Sequence, residues 1–123
     1  MTTQTQIRQT VQAYFAAWSN GDVAASGQYL AADLAFSGAV NSFNNAADYL
    51  KALSGYRQLI TTGNDLISEL YGDGEATLIY DSHTVAGTIR TAEYIRFTDG
   101  KMSSINLIFD PTALLAFKAA EGQ

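Results

Sequence analysis

The stretch that most constrains this chain spans residues 88–110, TIRTAEYIRFTDGKMSSINLIFD. Two apolar-rich runs flank Asp99-Gly100. An Asp-Gly pair in that setting predicts a two-residue hairpin, because both residues tolerate the positive φ of a type I′ turn. The turn fixes the register, and the register fixes the faces. Alternation places Thr91, Glu93, Ile95 and Phe97 on one face and Ala92, Tyr94 and Arg96 on the other. Glu93 is the odd member, since Glu is depleted in strands. Either it points into a pocket, where burial raises its pKa and a tyrosine shares its proton, or it pairs with Arg90 or Arg96 at the surface.

Upstream of the hairpin the period changes. Ile7, Val11, Tyr14, Phe15 and Trp18 form one stripe and predict a helix over 5–19. Asn20-Gly21 stops it, with Gly21 suited to the left-handed position after a helix. Asp22 caps a second helix reaching about residue 30. A short strand is expected over 33–37 and a loop over 38–45. Ala46, Tyr49, Leu50, Leu53, Tyr56 and Ile60 predict a third helix, broken by 61–64. Strands follow over 65–71, 75–85, 88–97 and 101–109, joined by short turns that make them antiparallel neighbours. Pro111 ends the last strand, and 113–120 reads as a terminal helix.

Helices followed by a four-strand meander define an α+β domain with the helices on one sheet face. The expected shape is a cone: a curved antiparallel sheet with three N-terminal helices packed on its concave face, enclosing a cavity. With 123 residues, the chain has the size of one domain, spanning 1–123. Apolar residues make up 47% and charged residues 15%. So little charge on a short chain implies a roomy apolar pocket or a surface covered by a partner, and a homodimer through the free sheet face is expected.

The net charge is −5, and no run of Lys or Arg occurs. Nucleic acid and anionic membrane surfaces are therefore poor partners, because both are bound chiefly by neutralising phosphates. Without Cys, thiolate chemistry and disulfides are excluded. One His and scattered acids make no metal-ligand set, and no cofactor motif is present. No basic-then-apolar leader and no membrane-length apolar run is seen, so a cytoplasmic protein is expected.

The segments YFAAWSNGD at 14–22, YLAADLAFSG at 29–38 and AEYIRFTDGKMSSINLIFD at 92–110, in this order of elements, resemble the nuclear transport factor 2-like superfamily. That group includes the SnoaL-like polyketide cyclases and ketosteroid isomerase. The resemblance covers nearly the whole chain. It implies the cone fold and a pocket for a small hydrophobic or aromatic molecule, and any catalysis would be cofactor-free proton transfer, an isomerase or cyclase.

By the same resemblance Tyr14 stands at the isomerase's oxyanion-hole tyrosine and Glu93 at its protonated acid. Ser37 stands where the isomerase has its aspartate base, so isomerisation by that mechanism is not implied. Leu107 stands where related epoxide hydrolases have an acid. The candidate catalytic residues are accordingly Tyr14 and Glu93, with Asp81 and His83 as a spare base if the two pair along their strand. His83 is otherwise a strand-edge histidine. Asp110 either matches the cyclases' last-strand acid or caps the terminal helix. Trp18, Phe36, Leu53, Tyr80, Leu107 and Phe109 are the expected ligand-binding wall. The alternative to ligand binding is a non-catalytic dimeric module whose vestigial pocket is filled by Trp18, Phe36 and Phe109.

Overall fold

A computed structural model of the protein describes residues 3–121. Its first helix, α1 (Gln4–Ser19), opens with a capping box. The Thr3 hydroxyl accepts from the Gln6 N–H at 3.1 Å, and the Gln6 side chain accepts from the Thr3 N–H at 2.8 Å. The predicted stripe is buried at Ile7, Val11, Tyr14 and Trp18. At its end the N–H of Gly21 reaches the Trp18 carbonyl and that of Asp22 the Ala17 carbonyl. This double closure requires the left-handed backbone found at Gly21, φ 93°. Arg57 Nε also donates to the Ser19 carbonyl at 3.0 Å, a cation where the helix dipole favours one.

Asp22 caps α2 (Val23–Ser26), accepting from the Ala25 N–H at 3.1 Å. The helix is shorter than expected, because the chain tightens into a 3-10 turn over Gly27–Tyr29. There follow β1 (Leu30–Ser37), β2 (Ser42–Phe43), α3 (Ala46–Arg57), β3 (Ile60–Gly72), β4 (Glu75–Thr84), β5 (Gly87–Thr98), β6 (Lys101–Ile108) and α4 (Thr112–Glu121). The four helices and a six-strand, curved, unclosed sheet make an α+β fold. The strand order is β2-β1-β6-β5-β4-β3. Among the described residues no helix is long and apolar enough to cross a membrane.

Three expectations are corrected. The sheet is not antiparallel throughout, since β1 runs parallel to β6, with Phe36 beside Ile105. The 38–45 segment holds the short strand β2, which pairs back on β1 through Phe36 and Phe43. And β3 begins at Ile60, not near residue 65. The residues read as a helix break continue the sheet through a register shift before Gly63, whose φ is 104°. A second shift lies between Leu66 and Ser68. Such irregularities bend and twist a strand, which is how a long meander curls toward the helices.

The opening hairpin forms as predicted, with Asp99 at φ 51° and Gly100 at φ 79°, both positive as a type I′ turn demands. Beyond the turn a register shift between Arg96 and Phe97, with Ser103 as the extra residue on β6, sets Glu93 opposite Leu107 there and opposite Leu78 on β4. Cross-strand partners share a face, so Glu93 lies on the inner face with Leu78, Ile95 and Ile105, all of them buried. Helix α1 covers β3 and β4 on that side, and α3 covers β1.

Candidate functional site

Glu93 is 1% exposed. A carboxyl group taken out of water tends to keep its proton. Burial pushes Glu93 up to about 7, against the opposing pull of the Tyr80 and Tyr14 hydroxyls. The Tyr80 hydroxyl donates to Glu93 Oε1 at 2.9 Å. Oε2 has no hydrogen-bond partner, although it is as thoroughly shielded. Neither Arg90 nor Arg96 reaches Glu93. Arg90 clamps Asp81 through two bonds of 2.8 and 3.0 Å, and Arg96 reaches the Tyr94 hydroxyl at 3.4 Å.

Tyr14 is fully buried, and its hydroxyl is hydrogen-bonded to that of Tyr49 on α3. The 2.9 Å hydrogen bond to Glu93 comes from Tyr80, while the Tyr14 hydroxyl lies near enough to Glu93 to favour its charged form. Burial is the main cause that raises Tyr14, Tyr49 and Tyr80 well above the ordinary tyrosine value, and the Glu93 charge adds to it. All three therefore stay neutral hydrogen-bonding groups through the physiological range.

Glu93 lies in the wall of a cavity of about 470 Å³. Trp18, Phe36, Leu53, Tyr80, Leu107 and Phe109 are among the residues that line it. Sequence reasoning missed Tyr49, Tyr56, Thr91 and, on the terminal helix, Leu114 and Lys118. Tyr49 and Tyr56 carried a usable signal: they fall on the apolar stripe of α3 but have hydroxyls to satisfy. The walls are aromatic on two sides. Trp18 and Tyr80 meet edge to face with centroids 6.0 Å apart, and Tyr56 lies 6.4 Å from Trp18. Across from them Phe36 packs 4.7 Å from Tyr49.

The expectation that Asp81 and His83 supply a base beside Glu93 is corrected. On β4 the buried residues are Ala76, Leu78, Tyr80, Ser82 and Thr84, so the odd-numbered positions face outward. Asp81 is paired with Arg90, whose hydrogen bond holds its carboxyl below the usual range. His83 Nε2 meets Asp65 Oδ2 at 2.7 Å, and Nδ1 meets Thr88 Oγ1 at 3.0 Å. The two residues neither pair with each other nor reach the cavity. Asp110 accepts from the Thr112 N–H at 3.0 Å and its hydroxyl at 2.6 Å, which is the capping role.

No protein-family model and no curated protein matches the chain. Solved structures do. A protein from Kribbella flavida is 22% identical and superposes with a TM-score of 0.84, over 93% of this chain and 94% of its own. A nuclear transport factor 2-like protein of unknown function from Cytophaga hutchinsonii is 20% identical, with a TM-score of 0.78 over 94% of this chain and 99% of its own. A Catenulispora acidiphila protein with a ketosteroid isomerase-like fold is 16% identical, with a TM-score of 0.71 over 87% of this chain and 89% of its own. The chain thus has the fold shared by nuclear transport factor 2-like and ketosteroid isomerase-like proteins.

Proposed function

We propose that the protein binds a small hydrophobic or aromatic molecule in the cavity beside Glu93. One observation carries this reading: a fully buried carboxyl group with an unpartnered oxygen in the wall of an aromatic cavity. A buried polar atom without a partner is costly, and native proteins rarely leave one without a reason. The cavity volume falls in the range of small-molecule sites. It also weighs against the module reading, in which Trp18, Phe36 and Phe109 fill the pocket.

Protonated Glu93 donates to a ligand acceptor such as a carbonyl oxygen, and the aromatic walls stack on the ligand's rings. The chemistry such a site supports is cofactor-free proton transfer, as in an isomerase or cyclase, with Glu93 as the acid. Among the described lining residues no second carboxylate or histidine accompanies it, so in an isomerisation here Glu93 gives its proton to one ligand atom and, as the resulting carboxylate, takes a proton from another.

Trp18 is the sole tryptophan and lines the cavity, so its fluorescence is a built-in reporter. A planar aromatic ketone is expected to quench it saturably at pH 6 and to bind more weakly as pH rises through about 7, where Glu93 ionises. Glu93→Gln keeps a donor and is expected to bind without that pH dependence. Absence of saturable quenching by planar ketones and phenols would falsify the reading.

We also propose a homodimer through the outer sheet face. Leu70 and Ile108, 68% and 64% exposed, stand at the ends of cross-strand rows that run through Thr77 and Tyr94 and through Ile79 and Ala92. Such an apolar face on a small domain is usually covered. Ile108→Lys is expected to halve the mass measured by light scattering while leaving the far-ultraviolet spectrum unchanged. A wild type that already sediments as a monomer rules the dimer out.

A further inference from the structure

The cavity's charges are distributed unevenly, and this restricts the ligand further. Its deep part holds no cation. Glu93, Thr91, Tyr49 and Tyr80 are there, all buried. Of the lining residues only Lys118 is basic. It is exposed, so it stands at the mouth, and no ion pair to it exists among the described residues. Lys118 is carried by α4, whose single buried residue, Leu114, also lines the cavity. The terminal helix therefore lines one side of the mouth with an apolar contact from Leu114 and an ammonium group from Lys118.

We infer that the ligand is a two-ended aromatic or alicyclic carboxylic acid. Its neutral acceptor oxygen goes inward to the Glu93 carboxyl group, and its carboxylate stays at the mouth against Lys118. This rests on the proposed ligand-binding role of the cavity. The orientation follows from desolvation. A carboxylate driven to the deep end would lose water and meet tyrosines and a second carboxyl group, with no cation to offset the cost. At the mouth it keeps part of its hydration and gains the ammonium group. Among the described lining residues Lys118 is the cation that an anion at the mouth would meet.

The test uses a matched pair of rigid probes, para-acetylbiphenyl and its para′-carboxylate, titrated against Trp18 fluorescence at pH 6. The carboxylate is expected to bind wild type about fivefold more tightly than the neutral ketone, the upper range for an exposed ion pair. That ratio should fall to one or below in Lys118→Met, persist in Lys118→Arg, and shrink in molar salt, which screens exposed pairs. A wild-type ratio at or below one, or a ratio unchanged in Lys118→Met, overturns the inference while saturable ketone binding leaves the cavity's role standing. If neither probe binds, the inference and the proposed function fall together.

Discussion

Glu93→Gln is expected to be more stable than the wild type at pH 8 and about equally stable at pH 5. Burial raises the Glu93 carboxyl from its ordinary 4.5 to about 7. Between those values the folded chain keeps a proton that the unfolded chain has released. By linkage, stability falls with rising pH wherever the folded state binds more protons. The destabilisation sets in above the unfolded value and is complete above the folded one, with a total of about 3 kcal/mol for a shift of this size.

Glutamine cannot ionise, so the variant escapes that loss. The other perturbed carboxylates do not mask the effect. Glu69, Asp81 and Asp110 are held below their ordinary range by hydrogen bonds, so their stabilisation is lost only as pH falls into the acid range. Urea midpoints at pH 5 and pH 8 read the difference. A wild-type midpoint that does not drop between them, or a variant that drops in parallel, is incompatible with a buried protonated acid.

The second large effect concerns the hydroxyl pair behind the cavity. Tyr14→Phe leaves the Tyr49 hydroxyl buried and unpartnered, since each is hydrogen-bonded to the other. The expected cost is about 1–3 kcal/mol, the desolvation penalty of a stranded group. Tyr49→Phe should cost a similar amount for the mirror-image reason. The double variant removes both polar atoms, and it is expected to recover much of what either single variant loses. Denaturant unfolding of the four proteins gives the coupling directly. Strictly additive losses would mean that the two hydroxyls are satisfied elsewhere.

Local rules made much of this molecule legible. The Asp99-Gly100 turn joins β5 to β6, and the alternation along β5 carries the inward face to Glu93, whereas the one-residue register shift beside Phe97 has no local signal. The α1 stripe placed Tyr14 and Trp18 inward, because helical period and burial coincide there. What failed depended on contacts distant in sequence. Nothing local says that β1 lies parallel to β6, or that two residues at Ser42–Phe43 form a strand. On β4 the alternation was ambiguous, since Ile79 and Tyr80 are both apolar and either parity gave a plausible core. That ambiguity put Asp81 and His83 beside the cavity when they face away.

The hydrogen bond from Tyr80 to Glu93 escaped notice for a related reason. Tyr14 and Tyr80 both lie on inward faces, and only the three-dimensional packing of α3 gives Tyr14 to Tyr49. Lys118 and Leu114 escaped notice because a short terminal helix carries no sequence signal of where it docks.

Burial holds the proton on Glu93 well above the ordinary carboxyl range. Carbon-detected NMR of side-chain carboxyl groups tests it most directly, with Glu93 assigned by its absence from the Glu93→Gln spectrum. The expected titration midpoint of Glu93 lies near 7. A midpoint near the ordinary 4.5 would show an ionised, hydrated Glu93 and contradict the account.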